Sequence, residues 1–517
     1  MNRHNPLELD AEAMRRMGHR VVDLLVDRIT GLDASPVWRG GDRERLRVEV
    51  GETPPDTPAD FDALVAHLVD HVMPFAGAVD HPRFFAFIPS CPTWPGLLGD
   101  FLARGHSLFQ GTWLESAGPS TLELLVLGWF KQWIGYPPSA AGLLTSGGSA
   151  ANLDAVVCAR SALLGADDDG VIYLSTEAHS SMERAAHIVG FRPGRVRKVP
   201  TDDAYRMRTD ALQEAIAEDR AAGRRPFLIV ANGGATSTGA VDPLPELAAL
   251  AHEQAMWLHV DAAYGGFAVL TERGRRLLDG MGEADSVTLD PHKWLYQPFE
   301  AGCLLVREGH QLPDAFHIMP DYLQDAALRA GGDEEAGPDA HEVNFGDRGL
   351  QLTRDTRAIK IWLSLRTFGL DAFRQGIDRA MDLADAAEQR IRASATLELL
   401  TPATLGVVCF RRRAERAASN SSSNSSSSSS SNSKAGEGVF ARNVQPRAGA
   451  RSGTPSEAQL ERWNAGLVAR LSESGVGMIS STRLDGRYAL RLCVLNHRSG
   501  REDVERVLAF LESEPVE

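Results

Sequence analysis

The feature that most constrains this chain is an alternation. Between about residues 140 and 310, short β-rich apolar runs take turns with helix-periodic stretches. Strand candidates are residues 171–174, 226–230, 256–260, 286–289 and 302–306, and helix candidates are 149–164, 180–189, 209–222 and 244–254. Strands separated by helices pair in parallel through crossovers, so the alternation predicts a mostly parallel sheet with helices on its faces, the α/β class. In open sheets of this kind ligands sit beyond the carboxyl ends of the strands. The residues that follow each run are therefore the place to look for chemistry.

At 517 residues the chain exceeds what one core organises. Residues 11–29 read as an amphipathic helix, with Met14, Met17, Val21, Leu24, Leu25 and Val26 spaced about three and four apart. A Pro-rich break at 52–58 precedes a second amphipathic stretch at 60–72. Two such helices are expected either to clasp a second copy of the chain or to pack on their own domain. Beyond residue 366 come a long helix (370–394), a strand (406–410), a tract of only Ser and Asn (419–433), a helix (457–472), a strand pair (476–480, 488–494) and a terminal helix. The Ser/Asn tract has no side chains from which to build a core. The expected division is an N-terminal helical clasp (1–80), a large α/β domain (81–365) and a small C-terminal α+β domain (366–517) with a disordered insertion at 414–455.

Charge and cysteine usage exclude several function classes. A formal charge of −15 and a pI near 5.5 disfavour nucleic acid and anionic membranes as partners. No apolar run is long enough for a membrane span, and the first twenty residues lack the apolar stretch of a secretory signal, so a cytoplasmic protein is expected. Five scattered cysteines without a CxxC pair suggest neither a disulfide framework nor a metal site.

Four strand-end loops carry chemistry. In Leu289-Asp-Pro-His-Lys-Trp294, Lys293 leaves the sheet beside Trp294, Leu295 and Tyr296; apolar surroundings would favour a neutral amine able to form a Schiff base. In Trp257-Leu-His-Val-Asp-Ala-Ala-Tyr264, Asp261 ends a run as a carboxylate suited to a protonated pyridine nitrogen, and the small Ala262 and Ala263 leave room for a flat ring. The run Gly142-Leu-Leu-Thr-Ser-Gly-Gly-Ser-Ala-Ala-Asn152 passes through a Gly-rich turn into a helix, an anion cradle that matches neither the Walker nor the dinucleotide pattern. His179 follows a strand and could stack on a ring, and Thr236 in the polar loop 232–239 could donate to a ring oxygen. Each is weak alone; together on one sheet edge they point to pyridoxal phosphate.

The set resembles the group II pyridoxal-phosphate decarboxylases, the aromatic-L-amino-acid decarboxylase family within fold type I. The resemblance rests on Asp290-Pro-His-Lys-Trp294, His259-Val-Asp-Ala-Ala263, Ala178-His-Ser-Ser-Met-Glu-Arg184 and His81-Pro-Arg-Phe-Phe-Ala-Phe87, and runs to Arg491-Leu-Cys-Val-Leu-Asn-His-Arg498. It implies that Lys293 carries the cofactor, Asp261 pairs with its ring nitrogen, His179 stacks on the ring and Thr236 contacts its oxygen. It places Gly147, Gly148, Ser149, Asn152 and His292 near the phosphate, Ala263 against the ring, and Phe87, Ser90, Phe109, Trp113 and Phe345 around the substrate. It further implies a homodimer with the site at the interface and an amino acid substrate. The expected reaction is decarboxylation of an L-amino acid, aromatic given the aromatic pocket residues, to CO2 and an amine.

One position departs from the family pattern. Phe345 stands where amine-forming members carry a loop tyrosine that returns a proton to Cα, in a segment (329–348) expected to be a mobile lid. The replacement opens a second reading, oxidative deamination to an aldehyde. An aminotransferase and a non-catalytic cofactor-binding homologue are the remaining alternatives.

Overall fold

The structure, a computed structural model, describes residues 5, 7–51, 53–165, 169–318, 342–413 and 455–515. The Ser/Asn tract and most of the expected lid lie outside the described residues.

Twelve strands form two sheets among the described residues. The strands are β1 (Phe84–Phe85), β2 (Ala141–Thr145), β3 (Gly170–Ser175), β4 (Val196–Val199), β5 (Arg225–Asn232), β6 (Trp257–Asp261), β7 (Ser286–Leu289), β8 (Gly302–Val306), β9 (Leu397–Thr404), β10 (Val407–Arg412), β11 (Met478–Leu484) and β12 (Arg487–Cys493). The larger sheet runs β2-β8-β7-β6-β5-β3-β4. Its pairs β7/β6, β6/β5, β5/β3 and β3/β4 are parallel, and β8 is antiparallel to both its neighbours. The mostly parallel α/β sheet expected from the sequence is thus present. Every residue of β2, β3, β6, β7 and β8 is buried, as strands covered on both faces require. That burial explains why these strands read as unbroken apolar runs rather than alternating ones.

Two strands of the larger sheet went unread. β4 carries Arg197 and Lys198 and has only one buried residue, so it lacks an apolar signature. β2 hides in the approach to the Gly-rich turn, and its outer edge is closed by side chains instead of a strand. Glu123, fully buried in helix Trp113–Ile134, accepts from the Leu144 amide at 2.8 Å, while Arg354 donates to Glu123 at 2.6 Å and to the Leu144 carbonyl at 2.7 Å. A buried ion pair here satisfies the edge that a further strand would have paired, and holds the strand that feeds the cradle.

The smaller sheet runs β1-β11-β12-β10-β9. Helices Leu370–Ala393 and Glu457–Ser474 pack on it, and Arg501–Ser513 packs on both helices. The expected boundary at residue 81 put Phe84–Phe85 with the larger unit. Instead β1 pairs in parallel with β11 and belongs to the smaller sheet. Two fully buried phenylalanines of a two-residue strand carry no periodicity from which that partner could be read.

At the N-terminus, helix Ala11–Thr30 is capped by Asp10, whose side chain accepts from the Ala13 amide. None of its residues is buried in this chain, and the same holds for Phe61–His71. No helix among the described residues is long and apolar enough to cross a membrane.

Candidate active site

The parallel strands deliver their carboxyl ends to one edge, and a cavity of about 280 Å³ opens there. It is lined from five loops. The β2 loop gives Gly147, Gly148, Ser149 and Asn152, and the β3 loop gives His179. The β5 loop gives Thr236, the β6 loop Asp261 and Ala263, and the β7 loop His292 and Lys293. All ten residues singled out for cofactor binding therefore share one wall.

Helix Gly148–Leu163 begins at the cradle. The amides of Ala150 and Ala151 close its first turn on the Gly147 carbonyl at 3.0 and 3.1 Å. Those of Gly148 and Ser149 precede any possible intrahelical acceptor and are available to an anion, at the positive end of a 16-residue helix. Glycine is required by space as much as by conformation. A Cβ on Gly148 would lie 2.9 Å from the Ala263 Cβ and 3.0 Å from the Asp290 carboxylate. Gly147 has φ +154°, and a Cβ there would meet the His292 ring at 3.2 Å.

Lys293 sits in the short helix Pro291–Trp294, its Nζ 2.9 Å from Asp290. The apolar neighbours do not surround the amine as the sequence suggested. Trp294 turns into the core and stacks on Tyr264 at 5.3 Å, and Leu295 is fully buried. The lysine faces a polar cavity with a carboxylate as its partner. The second oxygen of Asp290, Oδ1, is buried without a hydrogen bond among the described residues. His292 accepts from the Ala301 amide through Nδ1 at 3.2 Å, and burial pushes its pKa down.

Asp261 accepts from Asn152 Nδ2 at 2.8 Å and from the Ala263 amide at 3.2 Å. Asn152 also donates to Ser181 at 2.9 Å, and Ser181 hydrogen-bonds His179 Nδ1 at 2.8 Å. Behind Asn152 lies His259, fully buried, its Nε2 3.1 Å from the Asn152 oxygen; burial pushes its pKa down to about 4. Thr236 is held from the smaller sheet. Arg491 on β12 donates to the carbonyls of Thr236 and Ser237 at 2.7 and 3.2 Å, and to that of Phe87 at 2.6 Å.

The five expected substrate residues do not line this cavity in the single chain. Phe87 is 62% exposed with φ +52°. Ser90 is buried and donates to the Gln297 carbonyl. Phe109 and Trp113 are half-buried, and the Trp113 amide donates to Asn344 at 2.8 Å. Phe345 is fully buried, its ring centroid 4.7 Å from the Arg354 guanidinium. Conversely, Ser146, Ala150, Ser181, Asn232, Gly234, Tyr264 and Asp290 line the cavity without having been assigned to it. Each lies within four residues of a named position at a strand end, which was the available signal.

Comparison with known proteins decides among the chemistries such a cavity could host. The family model described as the pyridoxal-dependent decarboxylase conserved domain matches residues 44–413. The chain belongs to the pyridoxal-dependent decarboxylase family. It is 37% identical over 508 residues to an aromatic-L-amino-acid decarboxylase of Bacillus atrophaeus, covering 98% of this chain and 96% of that one. It is 30% identical to a phenylacetaldehyde synthase of Arabidopsis thaliana over 78% of this chain and 83% of that one. The crystal structure of Oryza sativa TDC with PLP and tryptamine superposes with a TM-score of 0.85 at 27% identity, covering 98% of both chains.

The protein is thus a pyridoxal-phosphate-dependent carboxy-lyase, and the cavity fits that cofactor on its own evidence. A cradle with no room for a Cβ, a carboxylate fixed by two N–H donors and a lysine amine occur on one wall. Replacing Gly148 by Ala inserts a methyl where none fits, so cofactor affinity should fall by roughly tenfold or more. Absorbance titration of the apoprotein with pyridoxal phosphate checks this; unchanged affinity would remove Gly148 from the cradle.

Proposed function

We propose that this decarboxylase acts on an aromatic L-amino acid, releasing CO2 and the amine, as a cytoplasmic homodimer. The observation that carries the reaction is the single wall on which Lys293, Asp261, His179 and the Gly147–Ser149 turn meet. Support for the substrate class comes from the aromatic-amino-acid decarboxylase relative.

When bound, pyridoxal phosphate supplies an aldehyde that takes up the substrate amine and a ring that accepts the electron pair of the breaking Cα–carboxylate bond. The chain would do the rest. The Gly148 and Ser149 amides, with the Ser149 hydroxyl and His292, would hold the phosphate. Asp261, oriented by Asn152, would keep a proton on the ring nitrogen. Ala263 and His179 would lie against the ring and Thr236 near its oxygen. Lys293 Nζ, kept near Asp290, would carry the cofactor and move protons at the amine.

A second reading is favoured by Phe345. A phenyl ring has no proton to return to Cα, and one relative is a phenylacetaldehyde synthase. In that reading the amino acid, O2 and water give aldehyde, CO2, ammonia and peroxide. Incubation with aromatic amino acids, assaying CO2, amine, aldehyde and peroxide, separates the two. Amine equal to CO2 is expected, and peroxide rising in step with CO2 would overturn the amine reading. Phe345→Tyr should shift any mixed product toward amine.

The homodimer is supported by apolar surface left open in one chain. Met14, Leu25 and Val26 of the first helix are exposed, as are Phe87, Phe101 and Leu114, the last three at 57–66%. Free thiols at all five cysteines fit a reducing compartment. Sedimentation of the full chain should give twice the monomer mass, and Leu25→Asp should shift it toward monomer; a wild-type monomer would contradict the assembly.

A further inference from the structure

Behind the cavity runs a chain of hydrogen bonds with one direction. It starts at Trp257, whose indole N–H can only donate, and does so to Ser286 Oγ at 2.8 Å. Ser286 Oγ is 2.8 Å from His259 Nδ1, and His259 Nε2 is 3.1 Å from Asn152 Oδ1. Asn152 Nδ2 spends its two protons on Asp261 Oδ2 and Ser181 Oγ, and Ser181 Oγ meets His179 Nδ1 at 2.8 Å. The Ser181 amide also donates to that same Nδ1 at 3.2 Å.

Donor and acceptor bookkeeping allows one proton order that satisfies every link. His179 Nδ1 receives the Ser181 amide proton and is therefore unprotonated, so its only proton is on Nε2. The Asn152 amide must turn its NH2 toward the Asp261 carboxylate, because the opposite orientation sets two oxygens 2.8 Å apart. That leaves Asn152 Oδ1 facing His259, which must then be protonated at Nε2 and accept at Nδ1. The Ser286 hydroxyl supplies that last proton, and Trp257 fills the Ser286 lone pair. Trp257, Ser286, His259 and Asn152 are all buried, so water cannot substitute for a missing partner.

We infer that His259 is a positioning residue: its Nε2–H donates to Asn152 Oδ1, which leaves the Asn152 NH2 on Asp261 and aims that carboxylate at the cavity. It touches neither substrate nor cofactor; it acts through Asn152. The consequence rests on the decarboxylase reading. Asp261 presents an acceptor, and His179 presents a donor on the ring edge away from Ser181, the pair of polarities needed by a protonated ring nitrogen and an anionic substrate group. The first polarity is held from the buried chain that begins at Trp257, and the second comes from the Ser181 amide.

Histidine-selective 15N NMR of the full protein with bound pyridoxal phosphate reads the His259 tautomer directly, with His259→Phe assigning the signal. In the wild type, Nδ1 of His259 should resonate as an unprotonated ring nitrogen and Nε2 as a protonated one. The His179 signals should be the same in wild type and variant, because the Ser181 amide still donates to Nδ1. In His259→Phe, which keeps a ring but no N–H, the dissociation constant for pyridoxal phosphate should rise roughly tenfold, the scale of one hydrogen bond to a charged group. His259→Gln, able to donate to Asn152, should restore the affinity. If the phenylalanine variant loses its near-UV dichroism, Trp257→Phe carries the test, with mixed tautomers expected at His259 and a smaller rise in the dissociation constant. The inference is overturned if wild-type His259 carries its proton on Nδ1, or if a folded His259→Phe keeps the wild-type affinity. A wild-type protein that shows the Nε2–H tautomer of His259 but takes up no pyridoxal phosphate would instead overturn the functional reading.

Discussion

The site depends on the register of three parallel strands. β5 sets Asn232 beside Asp261 of β6, and β6 sets Asp261 beside Thr288 of β7. A slip of one residue would turn Asp261 to the opposite face of the sheet and send it to the wrong side of the cavity floor. Burial on both faces makes such a slip costly, because every apolar side chain of these strands would have to find new packing. The rigid row of strand ends is what lets short loops place a cradle, a carboxylate and an amine on one wall.

A rigid floor does not by itself orient polar side chains. That is done by buried groups with no choice of role: an indole N–H, a backbone amide, a carboxylate. Asn152 stands between them and is almost wholly buried, which is tolerable only because all its amide atoms are partnered. The same economy holds at the edge of the sheet, where Glu123 and Arg354 occupy the hydrogen-bonding positions of an absent strand. The smaller sheet contributes at a distance, through Arg491 reaching the carbonyls of Thr236 and Phe87.

Much of this was legible in the chain because the parallel strands are short, apolar and punctuated. β7 and β8 fall on the residues read from sequence, and helix Ser180–Val189 does as well. The strand-end rule led directly to Lys293, Asp261, His179 and Thr236. What escaped had no local signature. β4 is polar, β1 has two residues, and helices such as Trp94–Gly105 and Ala358–Phe368 belong to stretches read only for their aromatic or loop residues. The surroundings of Lys293 were misjudged for a related reason. Sequence shows that Trp294 and Leu295 are adjacent but not that a single helical turn sends them into the core while the lysine faces Asp290. Substrate residues were least legible, since Phe345 and Ser90 are buried by neighbours distant in sequence, and Phe87 is exposed until something covers it.

The central claim is that the amine of Lys293 is the one that carries the cofactor. Borohydride reduction of the purified protein followed by peptide mass spectrometry measures it most directly. The account predicts a reduced pyridoxyl phosphate mass on the peptide containing Lys293, and none in Lys293→Ala. The same mass on another lysine, such as Lys360, or no adduct on any lysine, would contradict it.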